Sequence, residues 1–351
     1  MEDVEFEGPG PGQIAVQMAA AGICHTDLHI RDSSDGWGLA FPLLLGHEGS
    51  GIVSAVGPGE SDLGPGDHVA IACRVPCGVC SMCARGDPRR CRASAAKPAN
   101  VRRVSDGEKI NPALGIGLFA DQVVVDARAA VKLDPLVPLD VAGVFGCAVM
   151  TGVGAATNTA RVFPGASVAV VGCGGIGLSA IQGSLIAGSG RVIAVDVVDK
   201  KLEWAKMVGA TETVNASAED PVRAVRDITN GKGVDFAFEA VGSGRCVEQC
   251  LEMLAYGGTA TVIGVPPATE KLSIQLGGPS GFLSNTNSLL VTHGGDSLPQ
   301  HDLQVFSQLL LQGRLGLEKM VSHRIDLSEI EHGFEMMRSG ESIRSIVAFE
   351  S

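Results

Sequence analysis

The chain is 351 residues long, with 27 Lys and Arg against 39 Asp and Glu for a formal net charge of -12. At roughly 150 residues per domain this length makes about two domains, each with room for a full core, and the acidic balance leaves no basic field to hold a polyanion, which excludes nucleic acid as a partner. With 45% hydrophobic residues, 19% charged residues and 47 glycines, the composition excludes a disordered or collagen-like chain and fits a Gly-rich α/β protein; at 4% aromatic content the core is expected to be aliphatic.

Three zones follow one another along the chain. The start, Met1 to Glu5, is acidic where a signal peptide needs positive charge and then an apolar core, so a cytoplasmic protein is expected. Residues 1–148 are rich in Gly, Pro and Cys, with short apolar runs at Gly51–Val56 and Asp121–Asp126 between turn signals, a mostly β pattern. Over 149–292, strand-like runs alternate with helical ones: Ser167–Val171 and then a helix, Arg191–Val195 and then Lys200–Gly209, Val234–Phe238 and then Cys246–Leu254, and finally Thr259–Ile263. Alternation of this kind predicts βαβ units and a doubly wound parallel sheet. Residues 293–351 hold two helical patterns, His301–Gln312 and Leu327–Arg338, and a strand-like Ser345–Phe349, and are expected to rejoin the first zone.

Residues 162–190 carry no charge and would score as a membrane span by hydropathy alone. Their eight glycines and a β-branched run before Gly172 instead suit a buried strand, a turn and a helix, so no membrane association is expected. That turn, Gly172-Cys-Gly-Gly-Ile-Gly177, is a G-x-G-x-x-G between strand and helix, where a dinucleotide fingerprint has to lie. Gly172 permits the tight turn, Gly174 the approach of a pyrophosphate, and Gly177 the packing of helix on strand; Gly175 and Ile176 open the helix whose N-terminus favours phosphate charge. Asp196, 19 residues after Gly177, supplies a carboxylate for an adenosine ribose and would repel a 2′-phosphate, which predicts NAD over NADP. Without Asp196, a ligand-free Gly-rich turn would explain the motif equally well.

Ten cysteines in a chain of this kind point to metal before disulfides. Cys77, Cys80, Cys83 and Cys91 place four thiols within fifteen residues, enough to close a tetrahedral zinc site of structural type, with an iron–sulfur cluster as the chemical competitor.

The spacing 77, 80, 83, 91 resembles the structural-zinc loop of the zinc-dependent alcohol dehydrogenases of the medium-chain dehydrogenase/reductase superfamily. Gly22–Asp27, Gly46–Gly49, Gly146–Cys147, Gly172–Gly177, Gly264–Pro267 and Arg338–Arg344 fall in the same order as that family's motifs and cover nearly the whole chain. The resemblance implies a GroES-like β-rich catalytic domain, 1–148 and 293–351, and a Rossmann domain, 149–292. It also implies NAD and two zinc ions per subunit. Cys24, His47 and Cys147 match the catalytic-zinc ligands, a set that two thiolates and one imidazole suit chemically, although a lone His47 would otherwise be read as an ordinary packed histidine. Asp27 matches the partner that fixes the His47 tautomer, and Glu48 the acidic neighbour of the metal. Thr26 and His29 match the proton relay, His25 a pyrophosphate contact, Lys201 a ribose contact, Arg344 a pyrophosphate contact and Val265 a further cofactor contact.

The implied activity is reversible oxidation of a primary alcohol, bulky or aromatic, to the aldehyde, with zinc as Lewis acid and NAD as hydride acceptor. A homodimer is implied, with a tetramer as the other family arrangement. Three departures stand out: a start about twenty residues nearer the first zinc ligand than in most relatives, so that an N-terminal strand or hairpin is expected to be missing; Cys73 where many relatives place a bulky group; and a loop, Arg31–Gly38, without the acidic pair that serves glutathione in thiol-adduct formaldehyde dehydrogenases. Conversely, Pro112–Gly117, Phe119–Asp121 and Gly294–Pro299 resemble the branch holding mycothiol-dependent formaldehyde dehydrogenase and nitrosomycothiol reductase, which makes a thiol-adduct dehydrogenase the alternative activity. A zinc protein that binds NAD without turnover is the remote alternative. Cys173, Cys246 and Cys250 are expected to pack as small apolar groups.

Overall fold

The computed structural model describes residues 1–33, 36–59, 62–91, 96–278 and 281–349. The chain divides into two compact units, one of Met1–Cys147 with Leu298–Ser351 and one of Ala148–Ser297.

The first unit is organised around the strand Gln13–Gly22. Glu48–Val56 pairs with it antiparallel from end to end, while Gln122–Asp126 takes its first residues and Arg344–Ala348 its last. The seven-stranded sheet is completed by His68–Ala72, Ala130–Lys132 and Val321–Ile325, so the closing run of the chain does rejoin the opening zone. Ile14, Val16 and Met18 alternate along the central strand and meet Val53, Val69, Ile71, Val123 and Val125 in one aliphatic core; each such side chain contributes about 1.5–3 kcal/mol by leaving water. A second sheet of four short strands, Val4–Phe6, Val101–Arg103, Lys109–Pro112 and Leu43–Leu44, packs with Ala15 and Val124. At the start of the chain, Val4–Phe6 pairs antiparallel with Val101–Arg103.

The second unit is a six-stranded sheet, parallel throughout, in the order Glu212–Asn215, Arg191–Asp196, Ser167–Val171, Val234–Glu239, Leu254–Val262, Ser288–Val291. Numbered along the chain this order is 3-2-1-4-5-6, with helices such as Gly175–Ile186 and Gly244–Met253 between the strands. A parallel sheet hidden on both faces needs apolar residues on both, and Val168 to Val171 are buried in succession. The strand order reverses between Ser167–Val171 and Val234–Glu239, the switch point at whose carboxyl edge such sheets bind ligands. The uncharged stretch 162–190 is thus a five-residue strand, a glycine turn and a twelve-residue helix. Among the described residues no helix is long and apolar enough to cross a membrane.

Candidate active site

Sheet register alone brings three distant ligand-type side chains of the first unit together. Ala21 pairs with Gly49, so the end of one strand lies beside the start of the next; Cys24 follows the first and caps the helix His25–Asp32, and His47 immediately precedes the second. Gly49 in turn pairs with Ile71, whose carbonyl oxygen would lie 2.1 Å from a side chain at Gly146. Only glycine lets the π-helical turn Phe145–Val149 come that close, and it delivers Cys147 to the other two. One ligand atom each from Cys24, His47 and Cys147 lies within 4.8 Å of the others, with Cys24 Sγ 3.9 Å from Cys147 Sγ.

Buried charge surrounds this triplet. His47 Nδ1 donates to Asp27 Oδ1 at 2.9 Å, and Gly46 N–H donates to the same oxygen at 3.1 Å. Because a carboxylate only accepts, the hydrogen of His47 sits on Nδ1 and leaves Nε2 as the basic nitrogen. His47 Nε2 is buried and has no hydrogen-bond partner. An orphaned imidazole nitrogen beside two thiols is what a Zn(II) ligand set requires, and the donors fit that ion. The bond from Cys147 holds the Cys24 thiol well below the ordinary range against the effect of burial, with Arg344 and His47 assisting; the same bond, together with burial, pushes Cys147 up. Burial lowers the His47 pKa, but the Asp27 carboxylate and Cys24 more than offset it and raise it.

From sequence, Glu48 and Arg344 carry separate roles; here they meet. Arg344 opens the strand that pairs with the end of Gln13–Gly22, is 5% exposed, pairs with Glu48 Oε1 at 2.7 Å and donates to the Ile23 carbonyl at 2.8 Å. Gly22 makes room for that carboxylate, since a side chain there would lie 2.7 Å from Glu48 Oε1. Two opposite charges removed from water together avoid the cost of an unpaired buried ion. Thr26 is half-buried on the same short helix, and His25 and His29 are exposed, their rings 6.3 Å apart, with Trp37 5.7 Å from His29. Cys73 follows the strand His68–Ala72 directly, and burial pushes its thiol up. Of the loop 31–38, Ser34 and Asp35 lie outside the described residues.

The four-cysteine loop closes on itself. Cys77, Cys80, Cys83 and Cys91 place their sulfurs within 4.8 Å of one another, and none forms a disulfide. Cys80 N–H points at Cys77 Sγ and Cys77 N–H at Cys91 Sγ, both at 3.3 Å. The N–H groups of Val79 and Cys80 pull the Cys77 thiol down to about 6, while burial pushes Cys83 up to about 12. Backbone donors aimed at sulfur stabilise thiolate, the form that binds metal.

In the second unit, Gly172 has φ +94°, and a side chain on Gly177 would lie 1.8 Å from the Gly172 carbonyl oxygen, so turn and helix touch as expected. Nothing lies within 4 Å of the position a side chain on Gly174 would fill, which leaves that approach open. Gly174 to Ile176 are half-buried at the start of the helix. Asp196 is 8% exposed and takes Cys173 N–H at 2.7 Å and Val198 N–H at 3.0 Å, one on each oxygen, which binds its strand end to the glycine turn. Lys201 lies half-buried in the helix Asp199–Met207, and Val265 is exposed. Cys173 and Cys250 are fully buried, and Cys246 packs against the same core as Cys250. One residue that sequence inspection passed over is Glu239, almost fully buried where the strand Val234–Glu239 ends. Its only signal is an acid terminating an apolar run.

Two family models match the chain: an alcohol dehydrogenase GroES-like domain over residues 10–135 and a zinc-binding dehydrogenase over 175–311. The chain belongs to the zinc-dependent alcohol dehydrogenase family and is an oxidoreductase that uses zinc and a nicotinamide dinucleotide. It is 35% identical to alcohol dehydrogenase 1 of Pisum sativum, covering 100% of this chain and 93% of that protein. Against the S-(hydroxymethyl)glutathione dehydrogenase of Synechocystis sp. the identity is 34%, over 99% of this chain and 95% of the relative. The crystal structure of benzyl alcohol dehydrogenase from Acinetobacter calcoaceticus superposes with a TM-score of 0.89 at 30% identity, over 99% of this chain and 94% of that one.

Proposed function

We propose that the protein is an NAD-dependent zinc alcohol dehydrogenase that interconverts a primary alcohol, bulky or aromatic, and its aldehyde. The observation that carries this reading is the convergence of Cys24, His47 and Cys147 with His47 Nε2 buried and unpartnered. In it, Cys24, His47 and Cys147 hold a catalytic zinc, and Cys77, Cys80, Cys83 and Cys91 hold a structural one. When bound, zinc supplies a Lewis acid that lowers the pKa of the alcohol, and NAD supplies the hydride acceptor.

The chain's own residues do the rest. Asp27 holds the His47 proton on Nδ1, so that Nε2 is the nitrogen that would bind a metal. Glu48, paired with Arg344, is held beside the site without leaving an unpaired buried ion. The Thr26 hydroxyl would accept the alcohol proton while giving up its own, and His29, exposed to water, would release the relayed proton to solvent. Gly172, Gly174, Gly175, Ile176 and Gly177 receive the pyrophosphate; His25, Lys201, Val265 and Arg344 add cofactor contacts, and Asp196 repels a 2′-phosphate. Residues 1–148 and 293–351 make up the catalytic domain and 149–292 the dinucleotide domain of a cytoplasmic homodimer.

The thiol-adduct alternative is favoured by the near-equal identity to the S-(hydroxymethyl)glutathione dehydrogenase. One experiment separates the two. With zinc counted by mass spectrometry, NADH formation is followed on benzyl alcohol, ethanol, and formaldehyde with and without a low-molecular-weight thiol. Turnover of benzyl alcohol with two zincs per subunit supports the first reading; turnover that requires formaldehyde and thiol together transfers it to the second. A protein with both zincs and no turnover on any of these is a non-catalytic binder.

A further inference from the structure

Glu239 stands at the carboxyl edge of the parallel sheet, in register with Val171 on one side and Val262 on the other. Its side chain is 1% exposed, and a single oxygen, Oε1, accepts the N–H groups of Val241 at 2.8 Å, Gly242 at 2.6 Å and Ser243 at 3.3 Å. Its main-chain oxygen accepts two more, from Ile263 at 2.8 Å and Gly264 at 3.0 Å. One residue therefore gathers five backbone donors from two different turns. The turns touch with no side chain between them: a side chain on Gly264 would lie 2.1 Å from Gly242 N and 2.8 Å from Glu239 Oε2. The first of these turns also meets the fingerprint, since a side chain on Gly172 would lie 2.7 Å from Val241 Cγ2 and 3.1 Å from the Ala240 carbonyl carbon. Three backbone turns thus form one continuous rim, and buried Glu239, through its carboxylate and its main-chain oxygen, is its anchor. Burial pushes the Glu239 carboxyl up, and Oε2 has no hydrogen-bond partner. An apolar residue in its place would leave the N–H groups of Val241, Gly242 and Ser243 without their acceptor.

We propose that Glu239 is a positioning residue for the dinucleotide: its carboxylate locks the turn 240–243, which meets the glycine turn and the turn 263–265 held by its main-chain oxygen, so that the rim is shaped for the cofactor before the cofactor arrives. Charge-assisted bonds are roughly twice as strong as neutral ones, and a rim ordered in advance spares the ligand the entropy of ordering it. The inference rests on reading Gly172–Gly177 as the dinucleotide site.

The zinc-loaded parent, Glu239→Gln and Glu239→Leu are titrated with NADH by fluorescence, and initial rates are measured against NAD at saturating alcohol. Gln keeps the size of the side chain and one acceptor but gives up the charge. Glu239→Gln is expected to raise the NADH Kd and the KM for NAD about tenfold, with kcat within about twofold of the parent and zinc content unchanged. An NADH Kd and a KM for NAD equal to the parent's overturn the proposal, as does a loss confined to kcat and melting temperature, which a merely structural role would produce. Glu239→Leu is expected to bind NADH more weakly still, and equal binding by Leu also overturns the proposal; if Leu does not fold, Gln decides alone. A parent that takes up no NADH overturns the dinucleotide reading and the proposal with it, and is recognised because the failure appears before any substitution is made.

Discussion

Cys77, Cys80, Cys83 and Cys91 gather their sulfurs from one loop of the first unit, whereas Cys24, His47 and Cys147 come from three separate elements of that same unit. The donor chemistry is nearly the same, but the surroundings differ. Around the four-cysteine loop the partners are backbone N–H groups, which stabilise thiolate and nothing more. Around the three-ligand site they are buried side-chain charges, Asp27, Glu48 and Arg344, which orient a ring and balance one another. Four thiolates fill a tetrahedron; three ligands leave a corner for a reactant. The four-thiol site is built from local chain, whereas the three-ligand set draws on groups that no single loop supplies.

Substitution separates the two regions, and the largest effect is expected at the three-ligand site. Cys147→Ser is expected to lower turnover by at least about a thousandfold while NADH binding, followed by fluorescence, stays near the parent's and zinc falls from two to one per subunit. Retention of a near-parental rate with both zincs would break the comparison. Next in size, Cys80→Ser removes the other zinc and is expected to lower the melting temperature by more than about 4 °C, seen by calorimetry, with a smaller proportional loss of activity in whatever protein remains folded. Asp27→Asn sharpens the contrast: a neutral amide frees the His47 ring and is expected to cost about 10- to 100-fold in catalytic-zinc affinity or kcat, read by competition with a chelator, with the four-cysteine loop still fully loaded.

The smallest effect lies away from both sites. Burial raises the Asp126 carboxyl, but Arg128 and the N–H groups of Lys97 and Arg128 outweigh it and hold it below the usual range. A carboxyl depressed in the folded state contributes stability that is present above its unfolded pKa of about 3.9 and is lost as the pH falls through the lower folded value. Asp126→Asn is expected to flatten the acid limb of the stability curve below about pH 4, measured by urea unfolding at a series of pH values, and to leave both zinc sites unchanged.

What could be read in advance follows from range. Ser167–Val171 is a strand with the predicted ends because the four consecutive apolar residues after Ser167, three of them β-branched, suit a two-faced burial and little else. Gln13–Gly22, on which the first unit is built, contains four alanines and a glycine and carries no such signal; it is a strand because three neighbours pair with it. Glu212–Asn215 and Ser288–Val291 are likewise strands by virtue of their place at the sheet edges. The pairing of Glu48 with Arg344 and the anchoring of two turns by Glu239 were invisible for the same reason: each joins residues that only the closed sheet makes neighbours.

The amino-acid order by itself determined the four-thiol loop, the glycine turn between strand and helix, and the alternation that makes a parallel sheet, since each is completed within about thirty residues by backbone geometry and local chemistry. Only the tertiary structure decided that Cys24, 123 residues from Cys147, shares a site with it, and that a buried arginine and a buried glutamate neutralise each other beside them. Contacts of that separation depend on sheet register, which the sum of many weak apolar burials sets and no local pattern encodes.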